Sequence, residues 1–141
     1  MTEHETLRKV AVDCYNRGFE LVIEGDEATA ESGLELAATS LHLWKIVGTP
    51  KNEAIGLWLF SRALEKVGAI ESARAAATRS IHIAKELGLD WMIASGMEAL
   101  TRASRGTEDF ETLRQQTIDA IESITDGEER KLISAQFDDL R

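Results

Sequence analysis

A period of three to four residues runs through this chain almost from end to end, and a single proline, Pro50, interrupts it. Apolar side chains spaced in that way fall on one face of an α-helix. A half-buried strand would need strict alternation, and no stretch sustains it. The commonest residues agree with the period: 18 alanines, 15 leucines and 17 glutamates are all strong helix formers. At 141 residues, 43% of them apolar and 29% charged, the chain reads as one helical domain. A domain of that length buries roughly 68% of its unfolded surface, enough for a real core. An all-α fold follows.

Seven stripes can be laid out in order. Leu7, Val10, Cys14, Gly18 and Leu21 form the first, opened by a Thr2–Glu5 capping box and ended by Gly25-Asp26. Ala30, Leu34, Ala37, Leu41 and Trp44 form the second, which Gly48-Thr49-Pro50 stops; Thr49 and Pro50 then suit the cap and first turn of the third. That third stripe holds Ala54, Leu57, Phe60 and Leu64 and ends at Gly68, and the fourth runs from Ile70 through Ala73, Ala77, Ile81 and Ala84 to Gly88. Asp90 is expected to cap a fifth, with Ile93, Met97 and Leu100, closing near Gly106. Thr107 is expected to cap a sixth with Phe110, Leu113, Thr117, Ile121 and Ile124. A Thr125–Glu128 box would open a short seventh holding Ile133, Phe137 and Leu140, with Glu128, Glu129, Arg130, Lys131, Asp138 and Asp139 on its wet side. Connections of about two to five residues force sequential helices to pack antiparallel. Two architectures satisfy that: a closed up-down bundle, or stacked helical hairpins.

An internal repeat favours the stack. Gly18, Ala30, Leu34 and Ala37 stand at the same offsets from Gly25 as Ser61, Ala73, Ala77 and Ser80 do from Gly68, and Gly106 marks a third unit. Small side chains at those places let two helix backbones approach closely. Leu21 and Leu64 supply a large apolar residue four positions before their glycines. The pattern resembles tetratricopeptide repeats. That resemblance implies about three TPR-like hairpins over units 5–48, 50–88 and 90–125, an α-solenoid closed by a capping helix at 126–141, all within the single domain 1–141.

Charge and motif content narrow the function. The net charge of −9 and pI near 4.8 repel phosphate backbones and anionic lipid, so neither nucleic acid nor a membrane is an expected partner. Cys14 has no second cysteine to pair with, and the opening Met1-Thr2-Glu3-His4-Glu5 is acidic where a secretory leader is basic, so a cytoplasmic location is expected. His4, His42 and His82 lie on separate stripes without an H-E-x-x-H or E-x-x-H spacing, which gives no metal site. Phosphate-loop, dinucleotide and G-x-S-x-G motifs are missing as well. No cofactor is expected, and no catalytic residue; the chain reads as a non-enzyme.

In a solenoid of this family the first helices of successive units line a concave groove. The resemblance therefore implies a peptide-binding face made of Tyr15, Asn16, Phe19, Val22 and Ile23 in unit one. Unit two adds Trp58, Leu59, Arg62, Glu65 and Lys66, and unit three adds Trp91, Ser95, Glu98 and Arg102. The aromatic and aliphatic residues would form its floor, while Arg62, Lys66 and Arg102 would receive a carboxylate of the bound segment. Family members that clamp a terminal carboxylate do so with particular lysines and asparagines; only Asn16 falls on one of those positions. The expected role is a protein-binding scaffold or adaptor. Two alternatives stand beside it: a homodimer built on the apolar end of the second helix (Leu43, Trp44, Ile46, Val47) with the seventh, and a helical-bundle enzyme or small-ligand binder.

Overall fold

Seven α-helices form where the seven stripes lie. They are α1 Glu3–Phe19, α2 Ala30–Val47, α3 Pro50–Lys66, α4 Ile70–Leu87, α5 Asp90–Ala103, α6 Phe110–Glu122 and α7 Gly127–Phe137. The computed structural model describes residues 1–141. Thr2 caps α1 by accepting from the Glu5 amide at 3.1 Å, and Thr49 caps α3 in a box whose reciprocal partner is Asn52. Three other starts differ from expectation. Asp90 is already inside α5, where one carboxylate oxygen accepts from the Trp91 amide and the other from Thr125. The Thr107 hydroxyl donates to the Ser104 carbonyl instead of capping, and α6 begins at Phe110 behind Asp109. Thr125 is taken by Asp90, so Asp126 caps α7 by accepting from the Glu129 amide.

Successive helices fold back on each other as the hairpins α1/α2, α3/α4 and α5/α6. Helix α1 also touches α3, α3 touches α5, and α5 touches α7, so the odd-numbered helices make a continuous inner row. Apolar clusters sit between neighbours: Val22, Ala37, Trp58, Leu59, Ala63, Ala77 and Ala99 run from the end of α1 to α5, Leu41, Leu57, Leu64, Ala73, Ala76 and Ala103 from α2 to α5, and Ala94, Ile121, Ile124, Ile133 and Phe137 hold the last helices together. Each hairpin thus shields its neighbour's open face, the packing logic of a helical stack and not of a closed bundle.

Buried serines reveal the true register of the repeat. Ser40 Oγ donates to the Ala11 carbonyl, and Ser80 Oγ donates to the Ala54 carbonyl, both at 2.8 Å. Ala11 and Ala54 stand equally far before Gly25 and Gly68, but Ser40 lies three residues further beyond its glycine than Ser80 does. A three-residue 3₁₀ turn, Glu27–Thr29, is the extra piece. The counterpart of Ala77 is therefore Ala37 and not Leu34, and both alanines enter the same core cluster. The first turn differs in backbone too. Gly68 and Gly106 adopt positive φ (87° and 81°), whereas Gly25 is extended and is glycine for space: a Cβ there would run into Thr29 and the Leu21 carbonyl.

Before that turn, α1 widens into a π-helical segment, Glu20–Glu24, that the periodicity does not announce. Widening leaves carbonyls without their usual helical donors. Lys66 answers them: its ammonium donates to the Val22 and Gly25 carbonyls, each at 2.7 Å, while Thr29 Oγ1 donates to Leu21 at 3.1 Å.

Candidate functional site: an apolar hollow and a polar clasp in the inner row

Residues three and four apart share one helical face. On α1 the face turned to the inner row carries Arg8, Val12, Tyr15 and Phe19; on α3 it carries Lys51, Ile55, Trp58 and Arg62; on α5, Trp91, Ser95, Glu98 and Arg102. A hollow of about 240 Å³ opens between these faces. Tyr15 and Phe19 wall it from α1, Ile55 and Trp58 from α3, and Trp91, Met92 and Ser95 from α5. The fourth wall is α7, through Leu132, Ile133 and Gln136.

The floor is aromatic and fixed. Phe19 lies between Tyr15 and Trp58, with tilted rings whose centroids are 6.3 and 6.0 Å apart. Burial pushes the Tyr15 phenol well above its usual range, so it stays protonated. Gln136 Oε1 is enclosed without a hydrogen-bond partner, a polar atom on an otherwise greasy wall. A second hollow of about 180 Å³ adjoins the first, sharing Tyr15 and Ile55 and adding Val12, Asn16, Trp44 and Asn52.

The C-terminal end of the inner row has different chemistry. Glu98 is fully buried and accepts from three donors: Trp58 Nε1 at 3.1 Å, Arg62 Nη1 at 3.2 Å and Arg102 Nε at 2.8 Å. Arg102 then reaches the Asp139 carboxylate with both terminal nitrogens and donates to the Gln136 carbonyl at 3.2 Å. Two cations thus face two anions. Burial lowers the Arg62 guanidinium; for Arg102 burial acts in the same sense, but the bonds to Asp139 and the Glu98 charge outweigh it and hold the proton more firmly. Asp139 is held below the usual carboxylate range, chiefly by its hydrogen bond from Arg102.

That arrangement revises the role expected for the basic residues. Arg62, Arg102 and Lys66 do share the inner row, but they already bond to Glu98, Asp139 and the Gln136, Val22 and Gly25 carbonyls. These bonds shape the trough: Glu98 and Asp139 balance Arg62 and Arg102, while neutral carbonyls hold Lys66. Glu65 pairs with Arg105 at 2.7 Å, Val22 and Leu59 are core, and Asn16 is exposed beside the second hollow. Tyr15, Phe19, Trp58, Trp91 and Ser95 do converge on one hollow. Absent from the expected set were Ile55, Met92 and the α7 residues; Leu132 and Gln136 share one helical face, a spacing readable in the sequence, while Asp139 had been assigned to solvent.

The depressed Asp139 gives a pH prediction. A carboxylate lowered in the folded state adds stability that is present above its unfolded value, near 3.9, and is lost as pH falls through the folded value. The native chain should therefore lose stability on acidification below about pH 4 more steeply than Asp139→Asn. Urea midpoints at several pH values measure this, and parallel curves for the two proteins would refute it.

Elsewhere, His82 pairs with Glu86 at 3.0 Å on an exposed helix face, and nowhere do three His, Cys, Asp or Glu side chains gather to hold a metal. At the end of α2, Trp44 and Val47 are buried against Ala11 and Ile46 is strongly exposed, as is Leu132 on α7. No helix is long and apolar enough to cross a membrane. In comparison with known proteins, no family model matches the chain, and neither a curated protein nor a solved structure does.

Proposed function

We propose that this chain is a non-catalytic protein–protein interaction module of tetratricopeptide-like hairpins whose inner trough holds a segment of a partner protein. The observation that supports this is the aromatic hollow of about 240 Å³ framed by four helices. Small-molecule sites run to about 300–1,000 Å³, so this one suits one or two bulky side chains better than a whole metabolite. Fixed aromatic rings around a concave apolar floor are also the surroundings in which an interface anchor buries most productively. A cytoplasmic setting suits an acidic chain whose one cysteine, Cys14, is free.

Leu132 stands at the mouth of the hollow and is 62% exposed, so a charge placed there alters the entrance and not the core. Segments selected from a displayed peptide library on the immobilised chain should carry bulky apolar residues and bind Leu132→Asp about tenfold more weakly. If the selected segments bind native and Leu132→Asp chains equally, the trough is not the site.

A further inference from the structure

Five serines are buried, and four of them have a place in the hydrogen bonding of the fold. Ser40, Ser61 and Ser80 donate to the Ala11, Ala73 and Ala54 carbonyls of neighbouring helices, each at 2.8 Å, and Ser104 donates to the Leu100 carbonyl one turn earlier at 2.7 Å. Ser95 is the exception. The residue is only 7% exposed, yet its hydroxyl bonds neither to a neighbouring helix nor to the carbonyl four residues before it, the usual recourse of a helical serine. The space it borders is the aromatic hollow. Gln136 borders the same space, and its enclosed Oε1 is likewise without a partner.

Buried polar groups are nearly always paired, and an enclosed one without a partner calls for an explanation. An aliphatic or phenyl side chain entering the hollow would shut solvent away from Ser95 and Gln136 and strand both, at the full cost of their desolvation. A phenol answers both, because its hydroxyl donates one hydrogen bond and accepts others; an indole only donates. The remaining walls favour a ring. Tyr15, Phe19, Trp58 and Trp91 present four aromatic side chains against which another ring packs in tilted or edge-to-face fashion.

We infer that the hollow takes the side chain of a tyrosine from the partner protein, its ring among the aromatic walls and its hydroxyl bonded to Ser95 and Gln136. This rests on the binding-module reading and names the anchor residue within it. The aromatic walls select a ring; the two polar groups select which ring.

The test titrates N-acetyl-tyrosinamide, N-acetyl-phenylalaninamide and N-acetyl-tryptophanamide into the full isotope-labelled chain and follows its NMR signals. The tyrosine probe should shift the Trp91 indole and Gln136 side-chain signals and bind at least about fivefold more tightly than the other two. That preference should vanish in Ser95→Ala/Gln136→Leu; should this variant unfold by circular dichroism, Ser95→Ala alone should reduce the preference. Ser95→Ala should also leave Tm within about 2 °C of the native chain, because its hydroxyl has no partner in the fold. A larger fall would show that the fold itself uses the hydroxyl, and would overturn the inference. Equal affinity for the tyrosine and phenylalanine probes would overturn it as well, while leaving the apolar trough in place. Failure of all three probes to shift the hollow would remove this occupant, yet library segments sensitive to Leu132→Asp would still uphold the module reading. A preference for the tyrosine probe beside library segments that lack tyrosine would make the hollow a site for a free phenol, against a protein anchor.

Discussion

Glu98→Gln is expected to destabilise the fold by about 3–5 kcal/mol, the range for breaking a buried ion pair by removing one partner. The carboxylate is fully enclosed and is the meeting point of Trp58, Arg62 and Arg102. A glutamine keeps the volume but offers one acceptor where three donors converge, and its amide nitrogen would face a guanidinium. Two arginines would then share a poorly hydrated site with only Asp139 to balance them. Urea denaturation would read the loss directly, with a fall of roughly 10 °C in Tm alongside it. A change under about 0.5 kcal/mol, the ordinary scatter of surface substitutions, would mean that the arginines are hydrated and that the network does not organise the trough. Glu98→Met combined with Arg102→Met should recover part of the loss, because an apolar replacement of a buried pair removes both charges together.

Phe137→Ala should be nearly as damaging, at about 3–5 kcal/mol, but in a different pattern. Phe137 is completely buried among Ala94, Ile121, Ile124, Ile133 and Leu140. That cluster belongs to the last helices alone, and in a stack the energy of one unit is shared only with its neighbours. Hydrogen exchange should show the α7 amides losing protection while those of α1 to α4 keep theirs. A uniform loss along the chain would demonstrate a single cooperative core, contrary to the separate cluster of the last helices. Unseating α7 would also remove one wall of the hollow, so the variant should bind any trough ligand poorly at temperatures where α1 to α4 remain folded.

Helix number, order and pairing were legible because each depends on local periodicity and short connections. Capping was less so: Asp90 and Thr125, each a good cap by itself, are used on each other across the α5–α7 boundary, a choice set by tertiary proximity. The offsets around the turn glycines misaligned the second helix of unit one, because a single 3₁₀ turn shifts everything after it and leaves the small-residue pattern superficially intact. For the site, aromatic residues at helical spacing were enough to find Tyr15, Phe19, Trp58 and Trp91. Charge was harder to read: a basic residue on an inner face looks the same in sequence whether or not it has a partner, and although Glu98 stands four residues before Arg102, Arg62 meets Glu98 and Arg102 meets Asp139 across 36 and 37 residues.

The Lys66 clasp and the Glu98 network lie near the same end of the inner helices, one tying α3 to the end of α1, the other tying α3, α5 and the segment after α7. At the opposite end the helices meet through apolar contacts, Ala54 of α3 with Ala84 of α4 and Met92 of α5, so polar bonds set the helix spacing at one end of the trough and close packing of small side chains sets it at the other.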